Sequence, residues 1–224
     1  MLRFTLIASA LLMCACNRPE KPAAPTQTAT APTTSPPAIA ADPRPAIVCF
    51  GDSITAGFGL EAGESFPDLL QKDIDRRGLR YRVVNLGVSG DTTQDGVSRM
   101  SMALAEKPAI VLLELGGNDG LRGIPLAITQ ANLVQMIEAF QTAGAKIVLA
   151  GMSLPPNYGA AFIQKFEAMY KELASKYKLA LIPFLLDGVG GHDALMQRDG
   201  IHPNAAGARK VEAIVIKALL PLLK

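Results

Sequence analysis

The sequence predicts an α/β fold, a three-layer α/β/α sandwich with a five-stranded parallel sheet at its centre. Two observations carry that prediction. Five short apolar runs, 46–50, 81–86, 109–115, 146–150 and 179–182, have the length and composition of strands buried on both faces. Between them lie longer stretches whose apolar residues recur at helical spacing. Strands alternating with helices join in parallel through right-handed crossovers, which cover both faces of the sheet. The ligand crevice of such a sheet lies beyond the carboxyl ends of its strands.

The elements follow in order. Ala46-Ile47-Val48-Cys49-Phe50 reads as the first strand and stops at Gly51. Ser65 is expected to cap a helix running to about Arg77, with Pro67 in its first turn and Gly78 past its end. The second strand, Tyr81 to Leu86, precedes a helix from Thr92 to about Ala105. The third, Ala109 to Leu115, precedes a helix over Pro125 to Ala143, in which Ile128, Leu133, Met136, Ile137 and Phe140 are expected to share one face. Lys146 to Ala150 and Leu179 to Ile182 flank a helix from Tyr158 to Tyr177, and Pro203 to Leu222 forms the last helix. There is no internal repeat and no second core, so residues 46–224 read as one domain.

The chain before Ala46 differs in kind. Residues 1–15 carry Arg3 and then an apolar run from Phe4 to Met13, the layout of a signal peptide and too short for a permanent span. The run ends in Met13-Cys14-Ala15-Cys16, which resembles the lipobox of bacterial lipoproteins, with Cys16 as the residue that is lipidated. From Asn17 to Pro45 there are eight prolines in 29 residues, mixed with Ala and Thr. Such a segment has too little apolar surface to offset the entropy of ordering and is expected to be a disordered tether, residues 16–45. Export to the cell envelope and a membrane attachment through Cys16, periplasmic or at the outer membrane, are the expectations.

Four of the 22 Lys+Arg and two of the 20 Asp+Glu lie before Ala46, so the domain itself holds 18 of each. A neutral domain without a basic stripe has no electrostatic reason to bind nucleic acid. Cys49 is its only cysteine, which leaves no internal disulfide, and neither histidine has a paired cysteine for zinc.

Polar residues collect at the strand ends. The first strand runs into Gly51-Asp52-Ser53-Ile54-Thr55, the second into Asn85-Leu86-Gly87-Val88-Ser89-Gly90-Asp91, the third into Gly116-Gly117-Asn118-Asp119-Gly120. Near the C-terminus stands Asp199-Gly200-Ile201-His202-Pro203. Asp and His three residues apart can meet across one turn, leaving the second ring nitrogen free to take a proton from a nucleophile. The chain has only one other histidine, His192, which lies in no motif and reads as a surface or packing residue.

These four blocks, in this order, resemble the SGNH or GDSL hydrolase family, and together they span nearly the whole domain. The stretches Gly116 to Gly123 and Leu154 to Gly159 look like the bacterial branch that contains arylesterases and the acyl-CoA thioesterase/lysophospholipases. The resemblance implies the flavodoxin-like version of the sandwich, with Ser53 as nucleophile, His202 as general base and then acid, and Asp199 orienting His202. It also implies an oxyanion hole made of the Ser53 and Gly87 N–H groups and the Asn118 side-chain amide. Asp52 and Asp119 are expected to brace the turns, and Ser89 and Ser153 have no base assigned. Thr55 stands where the nucleophile motif of ordinary α/β-hydrolases has its last glycine.

The expected activity is hydrolysis of carboxylic esters (acyl, aryl or lysophospholipid), with thioesters chemically accessible, through an acyl-enzyme and without cofactor or metal. The acyl group is expected among Leu121, Ile124, Leu154, Pro155, Tyr158 and Phe162. The partner is a small-molecule ester; the sequence does not fix an oligomeric state, and a monomer is the expectation. Two other readings stand beside it. A carbohydrate or peptidoglycan O-acetylesterase would use the same residues with a more polar groove. A non-catalytic flavodoxin-like binding lipoprotein would need a phosphate loop, and no regular one follows the first strand.

Overall fold

Strand β1, Ala46–Gly51, is an interior strand of the sheet, and its residues 46–50 are each at most 1% exposed. The structure, a computed structural model, describes residues 42–223; the expected signal peptide, Cys16 and nearly all of the tether lie outside the described residues. The other strands are β2 (Arg82–Gly87), β3 (Pro108–Glu114), β4 (Lys146–Ala150) and β5 (Ala180–Ile182). They form one parallel sheet in the order β2-β1-β3-β4-β5. The chain leaves β1 towards one edge and returns on its other side at β3, so the topological switch point lies between β1 and β3. At that end Gly51 is level with Gly87 on one side and Glu114 on the other.

The helices are α1 (Ser53–Ala56), α2 (Phe66–Arg76), α3 (Thr93–Ala105), α4 (Gly117–Leu121), α5 (Leu126–Thr142), α6 (Ala160–Tyr177) and α7 (Ala205–Leu219). α2 packs on α7, while α3 packs on α5 and α5 on α6. The expected boundaries hold to within a residue or two at most ends, because the local signals act as read. Ser65 Oγ accepts from the Asp68 N–H, and Gly78 takes φ +71° just beyond α2. Thr92 and Asp95 form a reciprocal capping box at α3.

Three differences have physical causes. α6 begins at Ala160, not Tyr158, because Gly159 at φ +84° separates it from a short 3-10 turn, Pro156–Tyr158. α7 begins at Ala205, not Pro203, because Asn204 Oδ1 caps the Ala206 and Gly207 N–H groups. Ile128 does not share the core face of α5: it is 47% exposed, and the buried stripe runs Thr129, Asn132, Leu133, Met136, Ile137, Phe140. Polar residues occupy its first turns because Thr129 Oγ1 donates to Asp119 Oδ1 and Asn132 Nδ2 donates to Thr93 Oγ1. The one-turn helices α1 and α4 are too short to leave a periodic signal in sequence.

The core fills the space between sheet and helices with Phe50, Phe66, Phe140, Phe166 and Tyr170. Phe50 meets Phe140 edge to face, with centroids 5.7 Å apart. Phe140→Ala should therefore destabilise the domain by about 3–5 kcal/mol. Ile128→Ala on the same helix should stay within about 0.5 kcal/mol; urea-unfolding midpoints of the two variants check both.

Candidate active site

The turn after β1 is built for close approach. A β-carbon on Gly51 would fall 2.3 Å from Glu114 Oε2 and 2.2 Å from Thr55 Oγ1, so only glycine fits. Asp52 then caps α1, its Oδ1 accepting from the Ile54 N–H at 3.0 Å. Ser53, the first residue of α1, lies in the crevice at the switch point, and its own N–H has no partner among the described residues.

His202 reaches Ser53 from the far end of the chain. β5 is an edge strand, and residues 183–204 carry the chain back across the carboxyl ends of the strands before α7 begins. Gln197 holds this segment in place: its N–H donates to His202 O, and its side-chain amide donates to Phe58 O and Pro203 O. The result is a continuous chain of hydrogen bonds. His202 Nε2 lies 2.8 Å from Ser53 Oγ, and His202 Nδ1 lies 2.6 Å from Asp199 Oδ2. Asp199 Oδ1 accepts from the N–H groups of Ile201 and His202. Burial works upward on the Asp199 carboxyl, but these bonds outweigh it and hold it down at about 2. Asp199 is therefore a carboxylate at neutral pH, and Nδ1 is kept protonated while Nε2 faces the hydroxyl. Phe58 lies over the imidazole with ring centroids 4.6 Å apart.

One of the expected oxyanion donors is already engaged. The Gly87 N–H is already used, donating to Asn85 Oδ1 at 2.9 Å. Gly87 is glycine for packing, since a β-carbon there would fall 2.1 Å from the Ala56 nitrogen. Three residues on, Gly90 takes φ +90° and its N–H has no partner among the described residues. It adjoins Asp91, whose carbonyl accepts from Asn118 Nδ2 at 2.9 Å. Among the described residues the unengaged N–H groups of this turn thus belong to Ser89 and Gly90, not Gly87. Asn118 stands as expected in the turn after β3, and its Nδ2 also donates to Asp52 Oδ2 at 3.1 Å.

Buried polar residues support these turns. Asp119 accepts from the Thr93 N–H and from the Thr93 and Thr129 hydroxyls, tying α4 to α3 and α5. Arg99 donates to Gly51 O, Leu86 O and Asp91 Oδ2, with its guanidinium 4.2 Å from the centre of the Phe50 ring. It therefore joins the ends of β1 and β2 to the turn that carries Gly90. Asp52 and Glu114 are almost wholly buried together. Burial pushes Asp52 up to about 6, against the pull of the Ile54 N–H and of His202, and pushes Glu114 well above the usual carboxylate range. His192 is exposed as expected, Ser89 is exposed, and Ser153 Oγ donates to Glu167.

A cavity of about 480 Å³ opens on Ser53 and His202. Leu121, Leu154 and Pro155 line it, as expected; Ile124, Tyr158 and Phe162 do not. Tyr158 instead donates to Leu121 O and so holds the wall from behind, and Phe162 packs beside Phe166. Its other apolar side chains include Met152, Phe184, Leu186, Met196 and Ile201, most of them in the irregular segment after β5, and Asp52, Asn118 and Ser153 add polar groups. Their only signal in the sequence is the apolar cluster Phe184-Leu185-Leu186, which has no periodicity. Among the described residues no cluster of His, Cys, Asp or Glu has the arrangement of a metal site.

Asp199→Asn keeps an acceptor for the two N–H groups but no longer fixes the tautomer or steadies a charged ring. Turnover should fall by roughly 10⁴-fold with the fold unchanged, read from kcat alongside circular dichroism.

Comparison with known proteins agrees with this geometry. Residues 49–210 match the model of the GDSL-like lipase/acylhydrolase family. The chain is 47% identical to esterase TesA of Pseudomonas aeruginosa over 178 residues, 79% of this chain and 89% of that one. It is 37% identical to thioesterase 1/protease 1/lysophospholipase L1 of Escherichia coli, covering 79% of this chain and 84% of the other. A crystal structure of TesA superposes with a TM-score of 0.77 at 46% identity, over 80% of this chain and 99% of that one. Three strand-end motifs and the Asp199–Pro203 block, a Ser-His-Asp hydrogen-bond chain and this match together place the chain in the GDSL-like lipase/acylhydrolase family, as a carboxylic ester hydrolase.

Proposed function

We propose that the protein is an exported, lipid-anchored esterase that cleaves esters of apolar acyl chains, lysophospholipid and aryl esters among them. The observation that carries the substrate class is the cavity at the nucleophile, whose walls are Leu, Met, Phe and Ile side chains with few polar groups. An acetyl group fills little of such a space. A glycan O-acetylesterase would need polar walls instead.

The chemistry follows from the distances. Ser53 Oγ attacks the ester carbonyl as His202 Nε2 takes its proton, and Asp199 steadies the imidazolium. Negative charge moves to the carbonyl oxygen, which the Ser53 and Gly90 N–H groups receive. Asn118 joins them by sharing with the oxyanion the hydrogen it directs at Asp52. The intermediate collapses, His202 protonates the departing alcohol, and a water activated by the same histidine then releases the acid from the acyl-enzyme. A thiol can leave by the same route, so thioesters fall within reach of the site.

Location rests on the N-terminal sequence. A leader over residues 1–15, Cys16 after a small residue, and a Pro/Ala/Thr tether form an anchor, a stalk and a domain. An anchored enzyme outside the cytoplasm meets membrane-derived esters more readily than acyl-CoA.

Hydrolysis of nitrophenyl esters from acetyl to palmitoyl should rise beyond acetyl and be abolished by Ser53→Ala. A steep preference for acetyl, with activity on acetylated glycans, would replace this reading by the O-acetylesterase. Mass spectrometry of the mature protein should find acyl chains on Cys16; an unmodified N-terminus at another residue would remove the anchor.

A further inference from the structure

Beneath the nucleophile turn lies an acid that the reaction itself does not use. Glu114, the last residue of β3, is fully buried and stands level with Gly51. Its Oε2 accepts from the Asp52 N–H at 3.1 Å and from Thr55 Oγ1 at 2.7 Å. Its Oε1 is buried with no N–H or O–H to accept from among the described residues. The Glu114 and Asp52 side chains interact directly as two acids. Two carboxylates cannot hydrogen-bond to each other without a proton between them, and two negative charges here would be buried side by side.

Asp52 is the member of the pair that needs its charge. Its Oδ1 holds the Ile54 N–H and its Oδ2 holds the Asn118 amide. Through these two bonds it sets both the start of α1, where Ser53 sits, and the side chain that faces the oxyanion. We propose that Glu114 is a positioning residue that acts as an uncharged acid, donating its carboxyl proton to Asp52 so that both Asp52 oxygens stay aimed at their partners. Thr55, where ordinary α/β-hydrolases carry glycine, fits the same device because its hydroxyl occupies Oε2 and leaves Oε1 to carry the proton.

The surrounding charges support a proton on Glu114. Burial is the main force raising it, and the Asp52 charge adds to that force. The other titratable or charged groups around the pair are His202 and Asp91 from the loops, Arg99 on α3, Asp119 on α4, Tyr170 on α6 and Cys49 on β1. His202 lowers Asp52 and Asp91 raises it. No cation touches the Glu114 carboxyl among the described residues. An acid raised in the folded state stabilises the fold fully below its unfolded pKa, and that contribution shrinks as pH rises until the proton leaves.

The inference rests on esterolysis at Ser53, which the Ser53→Ala control tests separately. Glu114→Leu should lower kcat by on the order of 10- to 100-fold with little change in KM, since Asp52 loses its donor and the oxyanion side chain its anchor. Glu114→Gln should recover most of that loss, because the amide donates where the acid did and its carbonyl still accepts. The Tm of wild type should fall relative to that of Glu114→Gln as pH rises above the ordinary carboxylate range. A folded Glu114→Gln that is as inactive as Glu114→Leu would mean that charge is required and would overturn the proposal. So would a Tm difference that does not change with pH. Should Glu114→Leu not fold, the activity and pH dependence of Glu114→Gln decide alone.

Discussion

The hydrogen bond between His202 and Ser53 joins residues 149 positions apart, and the site exists only because the sheet brings them together. Ser53 is fixed first. β1 is central and covered on both faces, so the point where it ends cannot shift without moving both neighbouring strands. His202 has no such strand. It hangs on a returning segment held by Gln197 to Phe58 and by Asn204 to Ala194, and its ring is aimed by Asp199 and flanked by Phe58. Half of the catalytic pair is therefore rigid through packing and half through polar contacts.

The same economy appears in the buried charges. A carboxylate without compensation in a protein interior is unfavourable by several kcal/mol. Here four acids, Asp52, Asp91, Glu114 and Asp119, cluster under one crevice, and each has a different answer. Asp91 has Arg99, Asp119 has three donors from α3 and α5, and Asp52 has the Ile54 N–H and Asn118. Glu114 is left with its proton. The acids stand at the ends of β1, β2 and β3 and several of their donors stand on α3 and α5, so neutralising the charge and aligning the turns are one process.

The sequence made the sheet legible because strands buried on both faces must be continuous apolar runs, and parallel joins demand helices between them. Ser53, Asn118, Asp199 and His202 were legible because each lies at a strand end or in a motif of fixed spacing. What escaped was whatever depends on which backbone groups are already occupied. Gly87 and Gly90 share one turn, and only the fold reveals that Asn85 has taken the N–H of the first. Ile128 lost its expected place to Thr129 because Asp119 needed a hydroxyl, a requirement with no imprint on apolar periodicity. The cavity wall after β5 escaped for a related reason. It has neither period, so its residues looked like a loop.

The reacting groups and the cavity wall differ in how freely they can change. The reacting groups sit on strand ends and one-turn helices whose positions are set by the core. Much of the acyl wall, from Phe184 through Ile201, belongs to a segment outside the sheet and helices. A side chain there can be enlarged or shortened without disturbing β1 or the turn that holds Ser53. Each methylene gained or lost in contact with substrate is worth about 0.8 kcal/mol, close to a fourfold change in selectivity. Substrate preference can thus drift in small steps while the chemistry stays fixed. The limit is set by His202, which rides on the same segment, so changes near Ile201 must alter preference and catalysis together.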